Sequence, residues 1–300
     1  MRLFEAVSRL KSFTKAAGEV NLTQPTVSMQ VKRLEEKVGM PLTESVGKQV
    51  HMTLAGEKVY DLCRDVLERV AGFETELDDL RGEVAGPLKV AVVSSAKYVL
   101  PHLLGEFRHL YPKVDPQLQI VNRAVLLERL QNNADDLYVM GKPPEDIAVT
   151  EFPFLENVIV AAARPDHPLA RQNAIPLQRL ADQKIIMREP GSGTRQAIER
   201  LCAAQGVDLH GSMELDDAEA IKQGVIADLG IAFLSLHSLR LELETKQLVT
   251  LDVVQLPLRR RWFAMHRDGK HLSNAARAFL TYLREEGEQE VAHLLVTGEG

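Results

Sequence analysis

Cysteine is nearly absent from this 300-residue chain, which holds only Cys63 and Cys202. The two lie far apart and form no CxxC, which excludes a thiolate metal framework; both fall in helical patterns and read as small buried hydrophobes rather than a redox pair. Nine histidines are present without an HExxH, and His102 and His109, seven apart, read as one exposed helix face rather than a metal site. Aromatics make up 5% of the chain, so Leu, Val, Ile and Ala must carry the packing of a sequence that is 45% hydrophobic. No apolar run is long enough to span a membrane as a helix. The start MRLFEAVSRL lacks the long apolar core of a signal peptide, and a reducing, cytoplasmic setting is expected. The turn around Ser192 is neither a GxSxG nucleophile elbow nor a GxxxxGK phosphate loop, so it indicates no such enzyme.

The net charge of −6 disfavours a nucleic-acid partner only if the chain is one body. Residues 1–60 carry nine Lys/Arg against six Asp/Glu, residues 61–86 three against eight, and the remaining 214 carry 24 against 28. A basic first segment with the acidic load elsewhere is the asymmetry expected when one module meets phosphate.

Within that basic segment, Phe13 to Val38 reads as two helices with a tight break. Phe13, Ala16, Ala17 and Val20 share one face, Asn21-Leu22-Thr23 interrupts, and Pro25 suits the first turn of a new helix. Val27, Val31 and Leu34 form its buried stripe. The other face carries Gln24, Thr26, Ser28, Met29, Lys32 and Arg33, the amide, hydroxyls and cations that a DNA-reading helix needs. An ordinary helical hairpin with a polar face is the alternative. Leu3, Phe4, Val7 and Leu10 outline a first helix that begins almost at Met1 with no capping residue before it. Gly39, which tolerates positive φ, stops the second helix of the pair. Val46-Gly47-Lys48-Gln49-Val50 reads as a small hairpin with Lys48 near its tip, either a wing on DNA backbone or a solvated turn. One helix is predicted from Thr53, its N-cap candidate, to about Arg81. Its Val59, Leu62, Val66, Val70, Phe73, Leu77 and Leu80 repeat as a heptad seam, which predicts a dimer. Gly82-Glu83-Val84-Ala85-Gly86-Pro87 breaks it and reads as a linker.

After Pro87, LKVAVVSS reads as a strand buried on both faces. Helices over 100–111 and 124–132 alternate with LQIV and DLYVM, and EFPF and NVIVAAA continue the series, which predicts a parallel α/β sheet. Near Arg164 the pattern restarts with KIIM, a helix over 194–205, MEL, a helix over 218–227, and GIAFLS. RRWFAMH and a helix over 274–286 close it, giving two α/β lobes with the second inserted into the first; 287–300 shows no persuasive pattern. A ligand is expected in the cleft between the lobes, at the carboxyl ends of the strands. Ser94, Ser95 and Lys97 follow the first strand, Asn122 and Arg123 the second, Met140 and Lys142 the third. Gly191-Ser192-Gly193-Thr194-Arg195 precedes a helix whose N–H groups can hold an anion. Convergence of Lys97, Arg123, Lys142 and Arg195 there would select a multiply charged phosphorylated metabolite, with Lys222 and Gln223 as a further addition. Pairing of these cations with surface acids is the alternative.

This order of elements resembles the LysR-type transcriptional regulators over nearly the whole chain. The resemblance rests on Ser12-Phe13-Thr14-Lys15-Ala16-Ala17, Leu22-Thr23-Gln24-Pro25-Thr26-Val27-Ser28, Leu34-Glu35, Gly39, Pro41-Leu42 and Thr53-Leu54-Ala55-Gly56. Pro165-Asp166-His167-Pro168-Leu169 and Gly230-Ile231-Ala232-Phe233 match the family's periplasmic-binding-protein-like effector domain. Met140-Gly141-Lys142-Pro143-Pro144, Phe152-Pro153-Phe154-Leu155-Glu156-Asn157, Arg188 to Arg195 and Phe233-Leu234-Ser235-Leu236-His237 further resemble the regulators of Calvin-cycle carbon-fixation operons, the CbbR branch. The chain departs from the family pattern at its abrupt start, at Thr43 where Phe is usual, and at Ser45 near a common basic position; loss of the aromatic is expected to loosen the wing.

The resemblance implies an N-terminal winged helix-turn-helix, all-α with a small β wing, over 1–58. It implies a dimerisation helix and hinge over 59–87 and a two-lobed α/β effector domain over 88–300, with lobe 1 about 88–163 and 268–300 and lobe 2 about 164–267. Double-stranded DNA is the implied partner, with Thr14, Thr23, Gln24, Pro25, Thr26, Ser28, Met29, Lys32, Arg33 and Lys48 at the interface. Self-association as dimer or tetramer, contact with RNA polymerase and no cofactor are implied as well. So is a phosphorylated small-molecule effector such as ribulose bisphosphate, phosphoenolpyruvate or an NADPH-type signal. A LysR-type regulator of another operon sensing a different small anion is the alternative, and a cytoplasmic solute-binding protein or enzyme on the same lobes is a further one.

Overall fold

The computed structural model describes residues 1–46, 49–80 and 82–295, excepting the side chains of 45, 46, 49, 68, 71, 72, 74–80 and 292–295. Its contacts divide it into two units, Met1–Arg81 and Gly82–Gly300.

The first unit contains α1 (Arg2–Leu10), α2 (Phe13–Glu19), α3 (Gln24–Val38), β1 (Thr43–Val46), β2 (Gln49–Met52) and α4 (Leu54–Leu80). Its core is small-residue packing where helices cross: Ala16 and Ala17 of α2 meet Val27 and Val31 of α3, closed by Phe4, Val7, Leu42 and Cys63. Ser12 caps α2 by accepting from the Lys15 N–H at 3.3 Å, and Asn21 turns the break at φ 54°. The β1–β2 hairpin is antiparallel, pairing Thr43 with Met52. At this corner Thr43 makes polar contacts in place of aromatic packing. Its hydroxyl donates to Glu35 Oε1 at 3.1 Å, the same oxygen that accepts the N–H groups of Leu42 and Thr43, so a polar bracket ties the hairpin to α3. Ser45's side chain and all of Lys48 lie outside the described residues. Thr53 starts α4 as expected, accepting from Gly56 N at 3.0 Å and donating to Pro41 O at 2.7 Å. Gly56 is required there, because a Cβ would collide with the Leu42 carbonyl.

The second unit contains β3 (Gly86–Val93), α5 (Leu100–Leu110), β4 (Val114–Val121), α6 (Arg123–Gln131), β5 (Leu137–Met140), β6 (Val149–Ala163) and β7 (Ile185–Arg188). There follow α7 (Gly193–Ala204), β8 (Gly211–Leu215), α8 (Ala218–Ile226), β9 (Ile231–Ser235), α9 (Arg240–Glu244), β10 (Val249–Thr250), β11 (Leu258–Arg267), α10 (Asn274–Glu285) and α11 (Gly287–Leu295). One sheet runs β4-β3-β5-β11-β6-β9-β7-β8, with β10 on β6. The outer groups are parallel as expected, β4-β3-β5 at one end and β9-β7-β8 at the other.

The middle is not parallel. EFPF and NVIVAAA form a single 15-residue strand, β6, which pairs antiparallel with both β11 and β9. No turn residue separates the two apolar runs, so the chain passes straight from one lobe to the other. The core changes along it: Phe154, Leu155 and Trp262 belong to the first lobe's cluster, Ile159 and Leu258 to the second's. The changeover therefore lies inside the strands, near Asn157 and Arg261, rather than at the expected 163 and 268. Residues 287–295 are also helical, contrary to the absence of pattern, because Val291 is fully buried in the first lobe. Docking supplies what nine residues of weak periodicity cannot.

Candidate effector cleft and DNA-reading face

The exposed side of α3 presents Gln24, Pro25, Met29, Lys32 and Arg33, with Thr26 and Ser28 half-buried. Thr23 and Thr26 share a hydroxyl contact at 2.8 Å across the first turn. Thr14 is exposed on α2. Among the described residues, Lys32 and Arg33 form no ion pair, so both charges are free to meet phosphate.

In the second unit, the lobes face each other across a narrow cleft, with about 480 Å³ of empty space when the open solvent at its mouth is included. Its lining is Ser94 and Ser95 after β3, Arg123 at the start of α6, Gly141 and Lys142 after β5, Ser192, Gly193 and Thr194 at the start of α7, and Arg188, Glu189, Asn157, Gln196, Arg200, Arg260 and Trp262. Five of these are cations and one is an acid. Glu189 is occupied: it accepts Arg188 Nε and Nη2 at 2.7 and 3.0 Å, while Arg188 also reaches across to Ser94 Oγ at 2.9 Å. Lys142 pairs outward with Glu145. Arg123, Arg200 and Arg260 form no ion pair among the described residues. Burial, then the charge of Arg200, lowers the affinity of Arg123 for its proton; burial, then Arg200 and Arg123, does the same for Arg260. Three guanidinium groups repelling one another in a partly buried cleft form a site for an anion.

Two local features position this charge. Arg260 donates to Gly193 O at 2.9 Å and packs on Gly141, where a Cβ would sit 3.0 Å from Nη2. It therefore touches a loop of each lobe from a strand shared by both. Asn157 Oδ1 accepts from Ser235 Oγ at 2.8 Å, which leaves the amide NH₂ as the end available to a ligand. The first turn of α7 has no side-chain cap, so its N–H groups can also receive an anion.

The expected convergence of four cations is corrected in part. Arg123 and Lys142 line the cleft; Lys97 and Arg195 do not. Lys97 is drawn to Asp217 at 2.6 Å, and Arg195 to Glu199 and Glu214 at 2.7 and 2.8 Å. Lys222 is buried elsewhere between Glu242 and Glu219. Asn122 is spent capping α6, Met140 lies behind the cleft with its sulfur accepting from Arg123, and Gly191 forms the turn at φ 86° without lining the cavity. The sequence reading missed Arg188, Arg200 and Arg260. Arg260 had a signal, since in a strand the middle of Arg259-Arg260-Arg261 must face away from its neighbours. Those neighbours pair outward with Glu156 and Glu288.

A winged helix-turn-helix with a free basic face, and a two-lobed α/β unit around a cationic cleft, define an effector-responsive transcriptional regulator. Residues 1–57 match the bacterial regulatory helix-turn-helix, lysR family, and residues 81–288 match the LysR substrate binding domain. The chain belongs to the LysR family of transcriptional regulators. It is 43% identical to a RuBisCO operon transcriptional regulator of Allochromatium vinosum, over 95% of each chain. It is 44% identical to the transcriptional activator CmpR of Synechocystis, over 94% of this chain and 92% of that one. Among solved structures, the Synechocystis CcmR regulatory domain in complex with 2-PG aligns with a TM-score of 0.64 and 44% identity, covering 66% of this chain and 96% of that chain. Full-length CbnR complexed with its target DNA shares the fold at a TM-score of 0.70 and 18% identity, covering 94% of this chain and 97% of that one.

Proposed function

We propose that this protein controls carbon-fixation genes, a RuBisCO operon among them, in response to a small phosphorylated carboxylate bound between its lobes. Relatives named for the RuBisCO operon support the target, and the related domain in complex with 2-PG, 2-phosphoglycolate, supports the ligand class. The observation that carries the reading is the unpaired trio Arg123, Arg200 and Arg260. A phosphate dianion and a carboxylate together bring three negative charges, which match three guanidinium groups and relieve their repulsion.

In this reading residues 1–58 read DNA, 59–87 join two copies and 88–300 sense the effector. The protein acts in the cytoplasm as a dimer or tetramer beside RNA polymerase. Lys32 and Arg33 hold phosphates while Gln24 reads a base edge in the major groove. Arg260 couples ligand to shape. Binding draws it toward the anion, competes with its bond to Gly193 O, and so favours one relation of the lobes over another.

Calorimetry with 2-phosphoglycolate and with glycolate tests the ligand. About a hundredfold tighter binding of the phosphorylated compound is expected, and its loss in Arg200→Ala. Equal affinity for the two ligands would overturn the phosphate reading. Because arginine stays charged near neutral pH, the ligand sets the pH dependence: affinity falls below about pH 6, where the phosphate dianion takes up a proton and becomes a monoanion.

A further inference from the structure

The short helical turn Ser94–Tyr98, between β3 and α5, contacts the second lobe through three of its five side chains. Ser94 Oγ accepts from Arg188 Nη2 at 2.9 Å, Lys97 Nζ donates to Asp217 Oδ1 at 2.6 Å, and the Lys222 ammonium lies 5.3 Å from the centre of the Tyr98 ring. The turn belongs to the first lobe through Ala96, which is fully buried in that lobe's core. Its partners stand at the end of β7, at the start of α8 and on α8 itself. Two of them are also joined, since Arg188 Nη2 donates to Asp216 O at 3.3 Å. Ser94, Arg188, Asp216, Asp217 and Lys97 therefore close a ring of contacts across the lobe boundary.

One side of this ring lies in the effector cleft and the other lies outside it. Ser94 and Arg188 line the cleft; Lys97 and Asp217 do not. Asp217 is fixed to the second lobe independently of Lys97. Its Oδ2 accepts from the N–H groups of Glu219 and Ala220 at 2.9 and 3.1 Å, which caps α8 and leaves Oδ1 for the ammonium. A carboxylate anchored on one lobe thus takes a cation from the other, and this bond exists only while the lobes are close. Closeness is also what an effector needs, because Arg123 comes from the first lobe and Arg200 from the second. Resting on the effector reading above, we propose that Lys97 and Asp217 are positioning residues: without touching the effector, their ion pair holds the lobes closed and so raises the affinity of the cleft. A binding-competent state already populated before the ligand arrives tightens the apparent Kd in proportion to its population.

Calorimetry with 2-phosphoglycolate on the full chain tests this. Lys97→Met keeps the length of the side chain and removes its charge; Asp217→Asn keeps an oxygen to cap α8. Each should weaken 2-phosphoglycolate about threefold, the double variant no further than either alone, and Lys97→Arg not at all. The single variants separate the brace from the mere field of its charges. Through the field alone, loss of the cation would weaken an anionic ligand, but loss of the carboxylate would tighten it. Unchanged or tighter binding in Asp217→Asn, or losses that multiply in the double variant, would overturn the proposal. Hydrogen exchange of the unliganded protein gives a readout that needs no ligand: amides of residues 94–99 and 216–222 should exchange faster in both single variants. If the wild type fails to bind 2-phosphoglycolate, the effector reading falls, and unaltered exchange in these segments would overturn the brace separately.

Discussion

His237 shows how one residue's surroundings become a pH response. Burial lowers its pKa from 6.5, outweighing the bond to Glu156 O. The folded state therefore keeps the ring neutral while the unfolded chain takes up a proton as pH falls through about 6.5. Stability is full above that value and drains away below it, by at most about 1.4 kcal/mol per pH unit for this group. In His237→Gln, denaturant unfolding followed from pH 7.5 to 4.5 should show a flatter decline; an unchanged decline would assign the response to other groups. At this scale the sequence was least legible. Lys97, Arg195 and Lys222 sit after strands or on a helix facing the right way; Arg195 and Lys222 each have an acid one helical turn away, Glu199 and Glu219, but such a neighbour alone does not show that a cation is taken. Acids distant in sequence complete the separation: Asp217 lies 120 residues from Lys97, Glu214 lies 19 from Arg195, and Glu242 lies 20 from Lys222. The unpaired cations can be recognised only once every carboxylate has been placed.

Elements were legible where local chemistry and burial agree. The helix pair, its Gly39 stop and the Thr53 cap follow from small-residue spacing, a tolerance for positive φ and a hydroxyl before an apolar run. Strand direction was not legible, since β6 and a parallel strand carry the same apolar run, and only its pairing with β11 and β9 tells them apart. The helix α11 escaped because its formation depends on docking Val291. The exposed face of α3 carries its own expectation. Lys32→Ala should weaken binding to specific and nonspecific DNA alike and lower the slope of log affinity against log salt by roughly one. Titrations over several salt concentrations measure this, and an unaltered slope would remove Lys32 from the phosphate contacts.

For the whole molecule, α4 leaves apolar side chains in solvent: Leu62 is 55%, Val70 46% and Phe73 58% exposed. They continue the heptad seam, and in the proposed dimer a second copy of the same helix would cover this stripe. Phe73→Glu should shift the protein toward monomer in light scattering while each unit keeps its fold by circular dichroism. A variant of undiminished mass would place the self-association elsewhere.

The paired strands β6 and β11 are the main-chain crossing between the lobes, and each is a member of both cores. Strands that cannot stretch and are clamped at both ends behave as a torsion bar, with twist as their softest motion. Whatever fills the cleft between the lobes can then do work mainly as torque about one axis. Any effector, whatever its chemistry, would then be read out as one angular variable.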